Sequence, residues 1–176
     1  MQAYDLSDIR AIVVDDSAYM CRLIRTMLNG FGMRGVLEAH DGAEALEQLN
    51  TTAVDLMILD WEMPILDGAE LVGLIRKPNH PLRYMPIIVL TAYSTESRAK
   101  MAMSLGVNDV LIKPCSPRSL YERVIDCVIN PRPFVKSDDY FGPRHRADAA
   151  MQRQSAPALE NMDFDAFQIA DDDSWE

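Results

Sequence analysis

VDLMILDWEMPILDG, residues 54–68, is the stretch from which the fold is read. Leu56, Met57, Ile58 and Leu59 follow one another without alternation and over too short a span for a helix, as expected of a strand covered on both faces. The run stops abruptly at the carboxylate of Asp60, and Pro64 and Gly68 supply turn chemistry directly after it. Three other segments repeat the arrangement: AIVV ends at Asp15 and Asp16, PIIVL ends at Thr91, and VLIKP carries Lys113 before Pro114. Apolar runs that each deliver a polar group at their end place two carboxylate positions, a hydroxyl and an ammonium at the carboxyl edge of a parallel sheet, where ligand crevices form. That set of groups calls for a cation and a phosphoryl group.

Working outward, strands are expected over residues 11–14, 35–39, 54–59, 87–90 and 110–112. Helical spacing fills the gaps. Ser17 can cap a helix carrying Leu23, Ile24, Met27 and Leu28, with Gly30 as its stop. Further helices are expected over 42–50, from Gly68 until Pro78 intervenes, over 94–104, and over 117–129, where Pro117 suits a first turn. Strands alternating with helices predict an α/β fold with a five-stranded, doubly wound parallel sheet.

The chain has 176 residues, 48% of them hydrophobic, enough for one sizeable core. A net charge of −10 excludes nucleic acid and anionic membrane as main partners, since both require clustered Lys and Arg. Three cysteines, Cys21, Cys115 and Cys127, lack the paired spacing of a zinc site and read as reduced thiols of a cytoplasmic protein. The amino terminus shows no export signal, and no apolar run approaches the roughly 18 residues of a spanning helix. His40, His80 and His145 are scattered and read as surface residues.

Taken singly, the site pieces have ordinary explanations: a carboxylate near a helix dipole for Asp15 and Asp16, a strand-ending polar residue for Asp60, a β-branched strand end for Thr91, a surface ammonium for Lys113. Their order and intervals of 45, 31 and 22 positions weigh against that reading, because each returns the chain to the same sheet edge after one or two βα units.

VVDDS, LMILDWEMPILDG, IIVLTA and LIKPCSP together resemble the receiver domain of response regulators, the CheY-like family, over residues 8–130. The resemblance implies the flavodoxin/CheY-like strand order 2-1-3-4-5, which is the order of CheY itself and is carried over from the family. It implies that Asp60 is the phosphoacceptor and that Thr91 and Lys113 contact the phosphoryl group. It also implies that Mg²⁺ is the cofactor, held by Asp16, by Asp15 through water, by Asp60 and by the backbone carbonyl of Glu62. Crowded carboxylates repel, so an acidic site of this kind should raise at least one carboxyl pKa and attract a hard divalent ion. A cis Lys113–Pro114 bond follows from the same resemblance. The implied partners are a histidine kinase or histidine phosphotransfer protein and a downstream protein target, with no catalytic function beyond phosphotransfer and autodephosphorylation.

Two positions depart from the common pattern. Val110 stands where many receivers carry Tyr or Phe; either the position is simply variable or the Thr91–aromatic switch is replaced by a relay through the loop 92–94, with Tyr93 as a lever, and the helix after it, and in neither case is the aromatic switch assumed. Glu62, two residues after Asp60, is a candidate tuner of acyl phosphate lifetime, or a solvated glutamate.

Past Asn130 the texture changes to Pro, Gly and polar residues, and 131–176 reads as a linker and acidic, largely irregular tail. Residues 1–130 hold 12 Lys+Arg against 17 Asp+Glu and the remainder 5 against 10, so the acidic excess is denser in the tail. Within it, FVKSDDYFGPRHR is expected to pack back on the domain as an ordered strip, and Phe164 with Phe167 could anchor the acidic end on a partner. The competing functional classes are a phosphorylation-independent interaction module and an aspartyl phosphohydrolase; the latter lacks a second aspartate two positions after Asp60.

Overall fold

A computed structural model of the protein describes residues 4–92 and 96–145. Five strands, β1 (Arg10–Val14), β2 (Gly35–Ala39), β3 (Leu56–Asp60), β4 (Ile87–Thr91) and β5 (Asp109–Ile112), pair in parallel in the order β2-β1-β3-β4-β5. Helices α1 (Ala18–Gly30), α2 (Gly42–Thr51), α3 (Gly68–Ile75), α4 (Glu96–Ser104) and α5 (Pro117–Val128) connect or follow them. The expected architecture and strand order are those observed.

Both faces of the sheet are covered, which explains the unalternated strands. One layer joins Ile12, Val14, Met57, Leu59, Ile87 and Val89 to Ala45, Leu49, Leu71, Val72, Ile75 and Ala102 of α2, α3 and α4. The other joins Ala11, Val13, Leu56, Ile58, Ile88 and Leu90 to Cys21, Ile24, Leu28, Leu120 and Val124 of α1 and α5. Side chains therefore switch layers at every residue along each strand.

Helix starts follow their caps. Ser17, Asp41, Asp67 and Ser116 each accept a hydrogen bond from a first-turn amide, and Asp67 with Glu70 forms a full capping box. At the end of α1 the left-handed glycine is Gly32, at φ 101°, rather than Gly30, which is the last helical residue.

The segment after residue 130, where composition predicts the start of an irregular tail, instead contains an antiparallel hairpin, β6 (Phe134–Lys136) and β7 (Phe141–Pro143). The compact unit runs through Arg144, past the boundary expected at residue 130. Phe134, Phe141 and the exposed Tyr84 form an aromatic cluster with centroids 5.3–5.4 Å apart. Gly106, at φ 87°, lies so close to β7 that a Cβ there would overlap the Phe141 carbonyl oxygen. The ordered strip anticipated in FVKSDDYFGPRHR is this hairpin; Arg146 and the Phe164/Phe167 pair lie outside the described residues.

Candidate functional site

Strand parity decides which side chains meet at the carboxyl edge. Asp15 continues the series Ala11, Val13; Asp60 continues Leu56, Ile58; Lys113 follows Leu111. All three series face the α1/α5 layer. Backbone bonds hold the ends in register: the Asp15 amide donates to the Ala39 carbonyl, Trp61 to Leu90, and Lys113 to Thr91 at 2.7 Å. The Lys113–Pro114 peptide is cis.

This arrangement delivers the Lys113 ammonium to both carboxylates, with Nζ 2.6 Å from Asp15 Oδ2 and 3.1 Å from Asp60 Oδ1. The remaining Asp15 oxygen, Oδ1, accepts from the Ser17 amide at 2.9 Å. Asp15 is buried, whereas Asp16, turned to the other parity, is exposed. One oxygen from each of Asp15, Asp16 and Asp60 lies within 4.8 Å of the others, so the three could hold a metal ion. Hard oxygen donors at this density suit a divalent cation that keeps several waters.

Burial pushes the Asp60 carboxyl above its ordinary value; Lys113 opposes that rise, and Asp15 adds to it. For Lys113, burial alone would lower the pKa, but the Asp15 and Asp60 carboxylates more than reverse it, and the net direction is upward. The Asp60 carboxyl is raised, as expected of one acid in this site, but the cause is burial rather than carboxylate crowding, since Lys113 counts for more than Asp15 and acts downward.

Thr91 ends β4, buried, with the parity of Ile87 and Val89, so it belongs to the opposite layer from Asp60. Val110 packs half-buried against that same layer. The β3–α3 loop is tightly built: the Leu66 amide donates to the Pro64 carbonyl at 2.8 Å, exposed Ile65 is held at φ 71°, and a Cβ on Gly68 would come within 2.9 Å of the Asp60 carbonyl oxygen. Pro64 and Gly68 thus act where turn chemistry placed them.

A cleft of about 540 Å³ opens beside the acidic cluster, between this loop and α4. Its walls include Asp16, Glu62 and Asp67, the apolar Trp61, Met63 and Met101, and the guanidinium of Arg98. Glu62 forms an ion pair with Arg98 across the mouth, both side chains close to half exposed. Sequence reasoning misses Arg98, which is one of two cations in a weakly patterned helix. Tyr93, Ser94 and Thr95 lie outside the described residues. A second, more apolar groove of about 360 Å³ runs along α1 past Tyr19, Met20 and Leu23 to Lys113, Pro114 and Cys115.

The cysteines are free. Cys21 lies buried beneath the site and donates to the Asp15 carbonyl at 3.3 Å; burial raises its pKa to about 11, so it is an inert thiol. His40 is exposed, and His80 Nδ1 accepts from the Leu82 amide within a turn. No helix among the described residues is long and apolar enough to cross a membrane.

The family model described as "Response regulator receiver domain" matches residues 11–125. The chain is 37% identical over 117 residues to chemotaxis protein CheY1 of Helicobacter pylori, an alignment covering 66% of this chain and 94% of that protein. It is 37% identical over 119 residues to the CheY homolog of Campylobacter jejuni, covering 67% and 91%. Among solved structures, the receiver domain of the Francisella response regulator 1452 is similar with a TM-score of 0.65 and 31% identity, covering 71% of this chain and all of that one. Chemotaxis protein CheY4 of Vibrio cholerae is similar with a TM-score of 0.61 and 28% identity, covering 68% and 98%.

Proposed function

The chain belongs to the response regulator receiver domain family, and from that premise we propose that it is a phosphorelay switch whose phosphoacceptor is Asp60. The observation that carries this reading is the Lys113 ammonium held between Asp15 and Asp60 at the rim of the acidic cluster. A carboxylate made costly by burial is primed to lose charge density to an electrophile, and a cation already beside it meets the incoming phosphoryl oxygens.

Asp16 and Asp60 would hold Mg²⁺, and Asp15, whose two oxygens accept from Lys113 and Ser17, would reach it through water. Bound there, Mg²⁺ supplies neutralisation of the charge on the transferring phosphoryl. In transfer from a phosphohistidine, an Asp60 oxygen bonds to phosphorus as the P–N bond breaks, and the electron pair departs with the imidazole nitrogen. Lys113 keeps Asp15 and exchanges Asp60 for a phosphoryl oxygen. The Thr91 hydroxyl takes another, which brings the α2–α4 layer into the change. Without a ring at Val110, the signal leaves through the loop after Thr91 and α4, toward a protein target.

The donor is a histidine kinase or histidine phosphotransfer protein, for which the exposed apolar groove along α1 offers a face adjoining Lys113. The test is incubation with phosphoramidate and Mg²⁺, followed by mass spectrometry. One phosphoryl is expected on wild type, none on Asp60→Asn and none with chelator. Lys113→Ala is expected to accept phosphoryl but to lose the accompanying change in α4 amide exchange. Absence of an adduct on wild type would favour a constitutive interaction module instead.

A further inference from the structure

The lining of the cleft beside Asp60 includes three acids, Asp16, Glu62 and Asp67, together with the guanidinium of Arg98 and the apolar Trp61, Met63 and Met101. Attack on phosphorus proceeds in line, so the group leaving a phosphodonor departs on the side away from Asp60, into the space that opens to solvent. An anionic leaving group entering that space meets repulsion from the acids, and Arg98 is the lining residue that answers it. We infer that Arg98 forms a carboxylate subsite in this cleft which admits small acyl phosphates as phosphodonors, with Glu62 as its competing internal carboxylate.

This inference rests on Asp60 being the phosphoacceptor. The step is balanced: an Asp60 carboxylate oxygen bonds to phosphorus, the bond from phosphorus to the donor's acyl oxygen breaks, and the electron pair leaves as a free carboxylate with no proton transferred. One acyl phosphate replaces another, so little driving force is available and stabilising the departing carboxylate matters. A guanidinium fork can match a carboxylate, and Arg98 Nη1 already pairs with Glu62 Oε1 in the resting protein. The apolar walls suit a short acyl chain. Phosphoramidate releases neutral ammonia, which has no use for the guanidinium, so the two donors separate the subsite from the chemistry at Asp60.

The experiment compares second-order phosphorylation rates with acetyl phosphate and phosphoramidate for wild type, Arg98→Ala, Arg98→Lys and Glu62→Gln, in the full-length chain with Mg²⁺. Arg98→Ala should lose about five- to tenfold with acetyl phosphate and stay within about twofold with phosphoramidate. Arg98→Lys should recover part of the loss, and Glu62→Gln should accelerate acetyl phosphate selectively. In a Trp175→Phe background, acetate alone should change Trp61 fluorescence saturably, and Arg98→Ala should abolish that change. Equal effects on both donors, or none on acetyl phosphate, overturn the subsite. Failure of wild type with both donors overturns the phosphoacceptor reading itself.

Discussion

The two ends of the sheet each enclose a cation, and they hold it in opposite ways. At the carboxyl edge Lys113 is shared between two carboxylates and remains partly open to solvent. At the amino edge Arg76 is buried among neutral acceptors, donating from Nε to the Gly106 carbonyl at 2.9 Å, from Nη1 to the Arg83 carbonyl at 2.8 Å and from Nη2 to Asn108 Oδ1 at 3.4 Å, with the Phe134 ring 5.2 Å away. Burial lowers its pKa to about 10, leaving it charged at neutral pH. Arg132 of the segment leading into the hairpin also donates to the Asn108 carbonyl, and Arg144 closes back on Pro133. A cation held by charges can trade one partner for another; a cation held by fixed carbonyl dipoles can only stay or be torn out. The first arrangement suits a switch and the second a rivet.

The largest effect should come from removing the rivet. Arg76→Met strands the Gly106 and Arg83 carbonyls, leaves Asn108 Oδ1 with the Ile87 amide alone, and should cost about 3 kcal/mol in urea unfolding. An unchanged midpoint would break the contrast. Next, Phe134→Ala with Phe141→Ala dismantles the aromatic cluster and should cost about 2 kcal/mol, while phosphorylation of the folded fraction by phosphoramidate continues. Loss of phosphorylation there would show the two edges to be coupled.

Asp60→Asn should have the reverse sign, stabilising metal-free protein by about 1 kcal/mol at neutral pH. Because folding raises the Asp60 pKa, this group costs stability above its folded value and ceases to do so as pH falls toward the ordinary 3.8. The gain from Asp60→Asn should therefore shrink on acidification through that window, read from urea midpoints in chelator. Lys113 has the opposite sign: its raised pKa contributes stability up to about the ordinary 10.5 and loses it as pH rises through the folded value. Smallest of all, Arg98→Ala should alter stability by less than about 0.5 kcal/mol, since its pair with Glu62 is half exposed. A large loss there would recast the pair as structural.

The carboxyl edge was legible because each of its polar groups terminates an apolar run, and a strand's end is a position that sequence marks. Asp15, Asp60 and Lys113 converge as that pattern implies. The amino edge was not legible. Arg76 follows Ile75 at a helix end like any solvated cation, and its acceptors come from positions 83, 106 and 108. The hairpin strands are three residues long and contain Gly142 and Pro143, so no alternation announces them. Arg98 escapes notice because its meaning depends on facing Glu62 from another element. Gly30 draws attention as a helix stop because composition does not reveal which of two nearby glycines takes the positive φ.

Double coverage of the sheet leaves one kind of error unpunished by hydrophobicity. Leu56, Met57, Ile58 and Leu59 would bury equally well after a slip of one residue, because both layers accept aliphatic side chains. Such a slip would turn Asp60 away from Lys113 and into the other layer, leaving a charge without its counter-ion. The acid–ammonium cluster therefore acts as a key that proofreads the alignment of β1, β3 and β5. Neutralising it with Asp15→Leu, Asp60→Leu and Lys113→Met should yield a folded protein with heterogeneous amide spectra in β3, whereas a single sharp set of β3 signals would show that packing alone sets the alignment.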